Sequence, residues 1–175
     1  MLERIICEEL IPWIETDARK IMNEAHAQKL IKVQLEASLL KNGFNPSQLQ
    51  VCHIIREAQE LDDTRTDFLI YHGFIGPVII ELKLFSNKDL HAKDLTTKKS
   101  YERLKNYMRQ YKTDHAILLA LDNEIALERD DLYKRRTEKI ADAYTTISGV
   151  SVHSARLFDR VEKTKKPKQK KKKKK

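Results

Sequence analysis

Two apolar runs, TDFLIY (residues 66–71) and VIIELKLF (residues 78–85), stand on either side of Gly73-Phe74-Ile75-Gly76-Pro77, the strongest turn signal in the chain. Three charges interrupt them: Asp67, Glu81 and Lys83. Asp67 and Glu81 are equidistant from residue 74, so a hairpin folded there sets the two acids opposite each other. Directly opposed residues of an antiparallel pair share a sheet face, with Cβ atoms roughly 5 Å apart. Strand side chains repeat with period two, so Lys83 joins Glu81 on that face while Leu82 and Leu84 turn to the other. Burying these charges is costly unless something compensates them, and a divalent cation held by both carboxylates is one such partner. The plainer alternative is a same-face ion pair of Glu81 and Lys83 on an exposed sheet surface.

The rest of the chain supplies helices and further strands. Helical periodicity runs from residue 2 to about 42, with Pro12 expected in the first turn of a second helix. The last helix of this region, about Glu24 to Lys41, spaces Ala27, Leu30, Ile31, Leu35, Ser38 and Leu39 along one stripe with Glu36 beside it. It stops at Asn42-Gly43, a C-terminal cap signal. Strands are predicted over 48–57, 66–72 and 77–85, then a helix over 98–112 with Tyr101, Leu104, Met108 and Tyr111 on one face. The apolar run HAILLAL (115–121) reads as a buried strand. A helix over 124–144, using Ile125, Leu132, Ile140 and Tyr144, and a strand over 150–155 complete the pattern. Three consecutive strands followed by a helical crossover imply an α/β sandwich: a mixed sheet, antiparallel at first, with helices on its faces.

Composition bounds the function. At 175 residues the chain reads as one domain over 1–162 with a tail at 163–175. The net charge of +8 is misleading, because that tail holds ten lysines and no acid; removing them from the 34 basic residues leaves 24 against 26 acidic ones. A like-charged run of this kind is expected to be disordered, serving as a phosphate-attracting or localisation segment, or as a solvated tail, native or added. Cys7 and Cys52 form no ligand spacing, which suits reduced thiols in a cytoplasmic protein. The N-terminal stretch carries three acids and is not expected to be a signal peptide, and no segment approaches a membrane span. The six histidines show no i, i+4 pair or His-x-His pattern, and Walker, GxGxxG and GxSxG motifs are absent.

From about residue 24 to 122 the chain resembles the PD-(D/E)XK nuclease superfamily. Thr66-Asp67-Phe68-Leu69-Ile70 looks like its Pro-Asp-apolar segment, with Thr66 in place of the frequent Pro. Ile80-Glu81-Leu82-Lys83 looks like its Glu-x-Lys segment. Glu36, followed by Leu39, Leu40, Gly43 and Phe44, matches the helix Glu that often completes the metal site. Arg103-Leu104-Lys105-Asn106-Tyr107 resembles the Gln-Leu-x-x-Tyr of the later helix, with Arg103 in place of Gln. The resemblance implies a restriction-endonuclease-like fold, a mixed β-sheet flanked by helices with an αβββαβ core, here with extra N-terminal helices.

It also implies a chemistry. Hydrolysis of a phosphodiester adds negative charge to a group that already repels hydroxide, and Mg²⁺, with Mn²⁺ as substitute, answers that problem. Asp67, Glu81 and the Leu82 carbonyl are the expected ligands, and Glu36 completes the site. Lys83 is expected to orient the attacking water. Arg65 and Arg103 are the candidate nucleic-acid contacts. The expected activity is that of a metal-dependent nuclease, on DNA before RNA, although nothing in the chain reads the 2′-hydroxyl. A homodimer is compatible with the superfamily's habits. The competing expectation is a restriction-like module without turnover that binds nucleic acid or protein, since fold does not fix function.

Overall fold

The structure is a computed structural model that describes residues 2–17, 24–43, 52–59, 65–72, 75–123 and 130–156. The lysine tail, the turn residues Gly73 and Phe74, and Ile125 lie outside these. Five strands form one mixed sheet in sequential order: β1 (Cys52–Gln59), β2 (Arg65–His72), β3 (Ile75–Leu84), β4 (Ala116–Asp122) and β5 (Val150–Arg156). The first three run antiparallel, whereas β4 and β5 run parallel to β3 and to each other. Parallel neighbours need a long crossover, and helices α4 (Lys99–Gln110) and α5 (Asp130–Tyr144) provide the two. Every residue of β4 is buried, as expected for a strand covered on both faces.

Alternation along the strands divides the core in two. Phe68, Ile70, Val78, Ile80, Leu82, Leu84, Ile117, Leu119 and Leu121 pack under the N-terminal helices and α3 (Glu24–Lys41), through Ile31, Leu35 and Leu39. Leu69, Ile79, Phe85, Ala116, Leu118 and Ala120 face α4 and α5, through Leu104, Tyr107, Ile140 and Tyr144. Glu81 and Lys83 fall between Ile79 and Phe85 in this second series, so period two places them on the α4 and α5 side.

The described hairpin has the register expected from the turn. Phe68 lies opposite Ile80, Leu69 opposite Ile79 and Ile70 opposite Val78, with an irregularity between Ile70 and His72. Pro12 stands in the first turn of α2 (Ile11–Asp17), as expected, although α1 (Leu2–Ile5), a π-turn (Ile6–Leu10) and α2 follow one another without a break and both residues flanking the π-turn are right-handed helical. Proline lacks an N–H and its ring crowds the carbonyl four residues back; the widened turn, in which Ile11 N–H reaches Ile6 O, relieves both demands. Leu132 is exposed, and Tyr133, stacked on Phe85, takes its place at that end of α5. The α3 stop follows the cap signal, with Gly43 at φ 87° and Asn42 Nδ2 donating to Ser38 O at 2.8 Å.

Candidate metal and catalytic centre

Asp67 lies one residue before the last described β2–β3 pair, and Glu81 one residue beyond it. At this point a side chain replaces the backbone ladder. The amides of Ile79 and Phe85 donate to β4, at His115 O and Leu121 O, so alternation turns the N–H and C=O of Leu82 toward β2. There Leu82 N–H meets Asp67 Oδ2 at 2.6 Å. The other oxygen, Asp67 Oδ1, accepts from Gln28 Nε2 of α3 at 2.5 Å. Lys83 Nζ donates to Glu81 Oε1 at 2.6 Å. Asp67, Glu81 and Lys83 are 7%, 2% and 5% exposed. The surface ion pair considered from sequence is therefore a buried one, and Glu81 Oε2 has no hydrogen-bond partner among the described residues.

Burial dominates the electrostatics. Desolvation pushes the Glu81 carboxyl up to about 7, with Asp67 adding to the rise and Lys83 and Arg103 opposing it. Burial pulls the Lys83 ammonium down, but Glu81, Asp67 and Glu24 more than offset that and leave it raised. Glu24 is raised as well, first by desolvation and then by Asp67, against Lys83 and Arg103. These mutual influences gather Asp67, Glu81, Lys83, Glu24 and Arg103 into one electrostatic neighbourhood.

Glu36 is not part of it. Its side chain is 51% exposed and sits 3.7 Å from Lys32 in an i, i+4 surface pair. The helix carboxylate that reaches the centre is Glu24, twelve residues and about 18 Å of helix rise earlier. The sequence held a signal for this: Glu24, Ala27, Gln28, Ile31 and Leu35 share one helical stripe, whereas Glu36 is turned about 100° from Leu35. Gln28, likewise overlooked, is buried within that stripe. Arg103 is exposed on α4, and its charge is felt by both Glu24 and Glu81. Arg65 opens β2 opposite Gln59, and its side chain lies outside the described residues.

The donors suit a hard divalent cation. Asp67 accepts from Leu82 N–H and Gln28 Nε2 on separate oxygens, Glu81 Oε2 has no hydrogen-bond partner among the described residues, Glu24 is half-buried nearby, and the Leu82 carbonyl faces β2. No group of three or more His, Cys, Asp or Glu positioned to hold a metal ion occurs among the described residues. Mg²⁺ asks for less, since it commonly takes one or two carboxylates and keeps several waters. Among the described residues no helix is long and apolar enough to cross a membrane. Neither a protein family nor a curated protein matches the chain on comparison.

Proposed function

We propose that this protein is a metal-dependent phosphodiesterase of the restriction-endonuclease-like type, a nuclease that hydrolyses DNA before RNA with Mg²⁺, or Mn²⁺ in its place. The observation that carries this reading is the buried Asp67, Glu81 and Lys83 cluster, in which Glu81 Oε2 has no hydrogen-bond partner among the described residues. A purely structural role gives no reason to keep three charges convergent where apolar residues would pack at no desolvation cost.

Asp67, Glu81 and the Leu82 carbonyl would hold the cation, with Glu24 in the role expected of Glu36. When bound, the cation neutralises phosphate charge and acidifies a water molecule. Lys83, fixed by its bond to Glu81, orients the attacking water and offsets charge that develops on the phosphate. Arg103, exposed beside the centre, supplies a guanidinium to the scissile or an adjacent phosphate.

The deciding experiment incubates plasmid, single-stranded DNA and RNA with the full chain in Mg²⁺, Mn²⁺ or EDTA, alongside Asp67→Asn and Lys83→Met. Cation-dependent cleavage that both variants abolish is the expected result. Nucleic-acid binding without cleavage, indifferent to both substitutions, would replace the nuclease with a binding module.

A further inference from the structure

Gln28 differs from the charged side chains at the centre because it is neutral. It is 5% exposed, its Nε2 donates to Asp67 Oδ1 at 2.5 Å, and its Oε1 is buried without a hydrogen-bond partner among the described residues. The amide orientation follows from its neighbour, since the flipped group would press oxygen against a carboxylate oxygen. Amide bond lengths place Oε1 within about 5 Å of Asp67 Oδ1. Leaving a buried carbonyl oxygen unsatisfied costs about 1–3 kcal/mol. Glu81 Oε2 is likewise buried. Neither atom has a hydrogen-bond partner among the described residues, and a hydrated cation between them and Asp67 would supply what both lack.

We infer that Gln28 is a positioning residue of the cation centre: its amide N–H holds Asp67 in one rotamer, and its carbonyl is the neutral oxygen donor that faces the cation or a water of its shell. This rests on the proposed cation centre and adds to it a ligand-side role that neither the Asp nor the Glu-x-Lys pattern contains. A glutamine is suited to this place because a carboxylate at position 28 would repel Asp67 Oδ1 whenever the cation is absent.

Calorimetric titration of Mn²⁺ into the full chain tests the inference without a substrate, using wild type, Asp67→Asn, Gln28→Leu and Gln28→Glu, each also unfolded by denaturant in EDTA. Gln28→Leu is expected to weaken Mn²⁺ binding about 10- to 100-fold, and in EDTA to lose stability through the Asp67 oxygen left without its donor, offset in part by removal of the orphaned Oε1. Gln28→Glu is expected to lower stability in EDTA, to regain it with Mn²⁺ by a larger margin than wild type, and to retain Mn²⁺ affinity. In hydrolysis, Gln28→Leu lowers kcat and leaves KM for nucleic acid in place.

Wild type that binds Mn²⁺ through Asp67 while Gln28→Leu binds equally well overturns the role of Gln28 and leaves the cation centre standing. Wild type that binds no Mn²⁺ overturns both. Weakened binding in Gln28→Leu, in a chain that cleaves no nucleic acid, upholds Gln28 and removes the nuclease. Should Gln28→Leu fail to fold, the EDTA and Mn²⁺ stabilities of Gln28→Glu decide alone, equal responses to Mn²⁺ in Gln28→Glu and wild type being the overturning result.

Discussion

The two ends of α3 carry the same kinds of residue and do different things with them. At the N-terminal end Glu24 is half-buried, Gln28 is buried, and both look toward Asp67 at the open end of the β2–β3 ladder. Toward the C-terminal end Glu36 meets Lys32 in solvent, and Lys41 meets Glu9 at 2.8 Å on the surface. A glutamate at one end feels Asp67, Lys83 and Arg103, whereas a glutamate at the other feels water. Residue type and helix propensity are the same in both cases. The position of the helix over the sheet distinguishes them, because Gln28 in its second turn bonds the Asp67 side chain that in turn accepts from Leu82 of β3.

The sharpest way to break this contrast is at Lys83, whose charge Glu24 at the N-terminal end of α3 feels. Lys83→Met is expected to lower hydrolysis about 10²- to 10³-fold, the usual cost of removing one electrostatic stabiliser. A Lys83→Met rate within twofold of wild type, from single-turnover kinetics, would place the chemistry elsewhere.

Next comes pH. Glu81 titrates near 4.5 when unfolded and at about 7 when folded, so the folded state holds the extra proton between those values. Its stabilising contribution is fully present below the unfolded value and is lost as pH rises through about 7, with an amplitude of roughly 3 kcal/mol. Glu24 acts in the same direction. Unfolding free energy in EDTA should therefore fall between pH 5 and pH 8, and Glu81→Gln should flatten most of that slope. A stability that rises over this interval in a Glu81-dependent manner would contradict the buried, desolvated carboxyl.

A smaller effect compares the two glutamates directly. Glu24→Gln should weaken Mn²⁺ binding or slow hydrolysis about 10- to 100-fold, while Glu36→Gln leaves both unchanged and alters stability by less than about 0.5 kcal/mol. Equal losses in the two variants would erase the distinction between the ends of α3. Smallest of all, Lys41→Ala should cost about 1 kcal/mol or less by denaturant titration, because its pair with Glu9 lies largely in water.

Much of this arrangement was legible beforehand. The hairpin register followed from the equal spacing of Asp67 and Glu81 about residue 74, and the same register pairs Phe68 with Ile80. The α3 helix stops at Asn42-Gly43 as its cap residues require. Period two set Glu81 and Lys83 on one face, and the bond between them is 2.6 Å long. Glu36 was misjudged because it follows the family's residue order, while its angular place beside the stripe argued for solvent. Gln28 went unnoticed because a lone glutamine in an apolar stripe carries no motif. Its partner, Asp67, is 39 residues away. Pro12 falls in the first turn of α2 as read, but the π-turn that joins α2 to α1 carries no sequence signal.

Local chemistry, then, determined the elements and their periodicity: which segments alternate, where the chain turns, and which charges share a strand face. Those properties depend on neighbours within a few residues, and backbone geometry makes them nearly independent of the rest of the molecule. Only tertiary structure decided which end of α3 lies near Asp67, that Leu82 N–H and Gln28 would both grip Asp67, and that Glu81 would keep one oxygen without a hydrogen-bond partner among the described residues. Such facts depend on how far a helix slides along a sheet before its apolar stripe is buried. That position is the outcome of many small packing contacts summed over both faces, and no single residue encodes it.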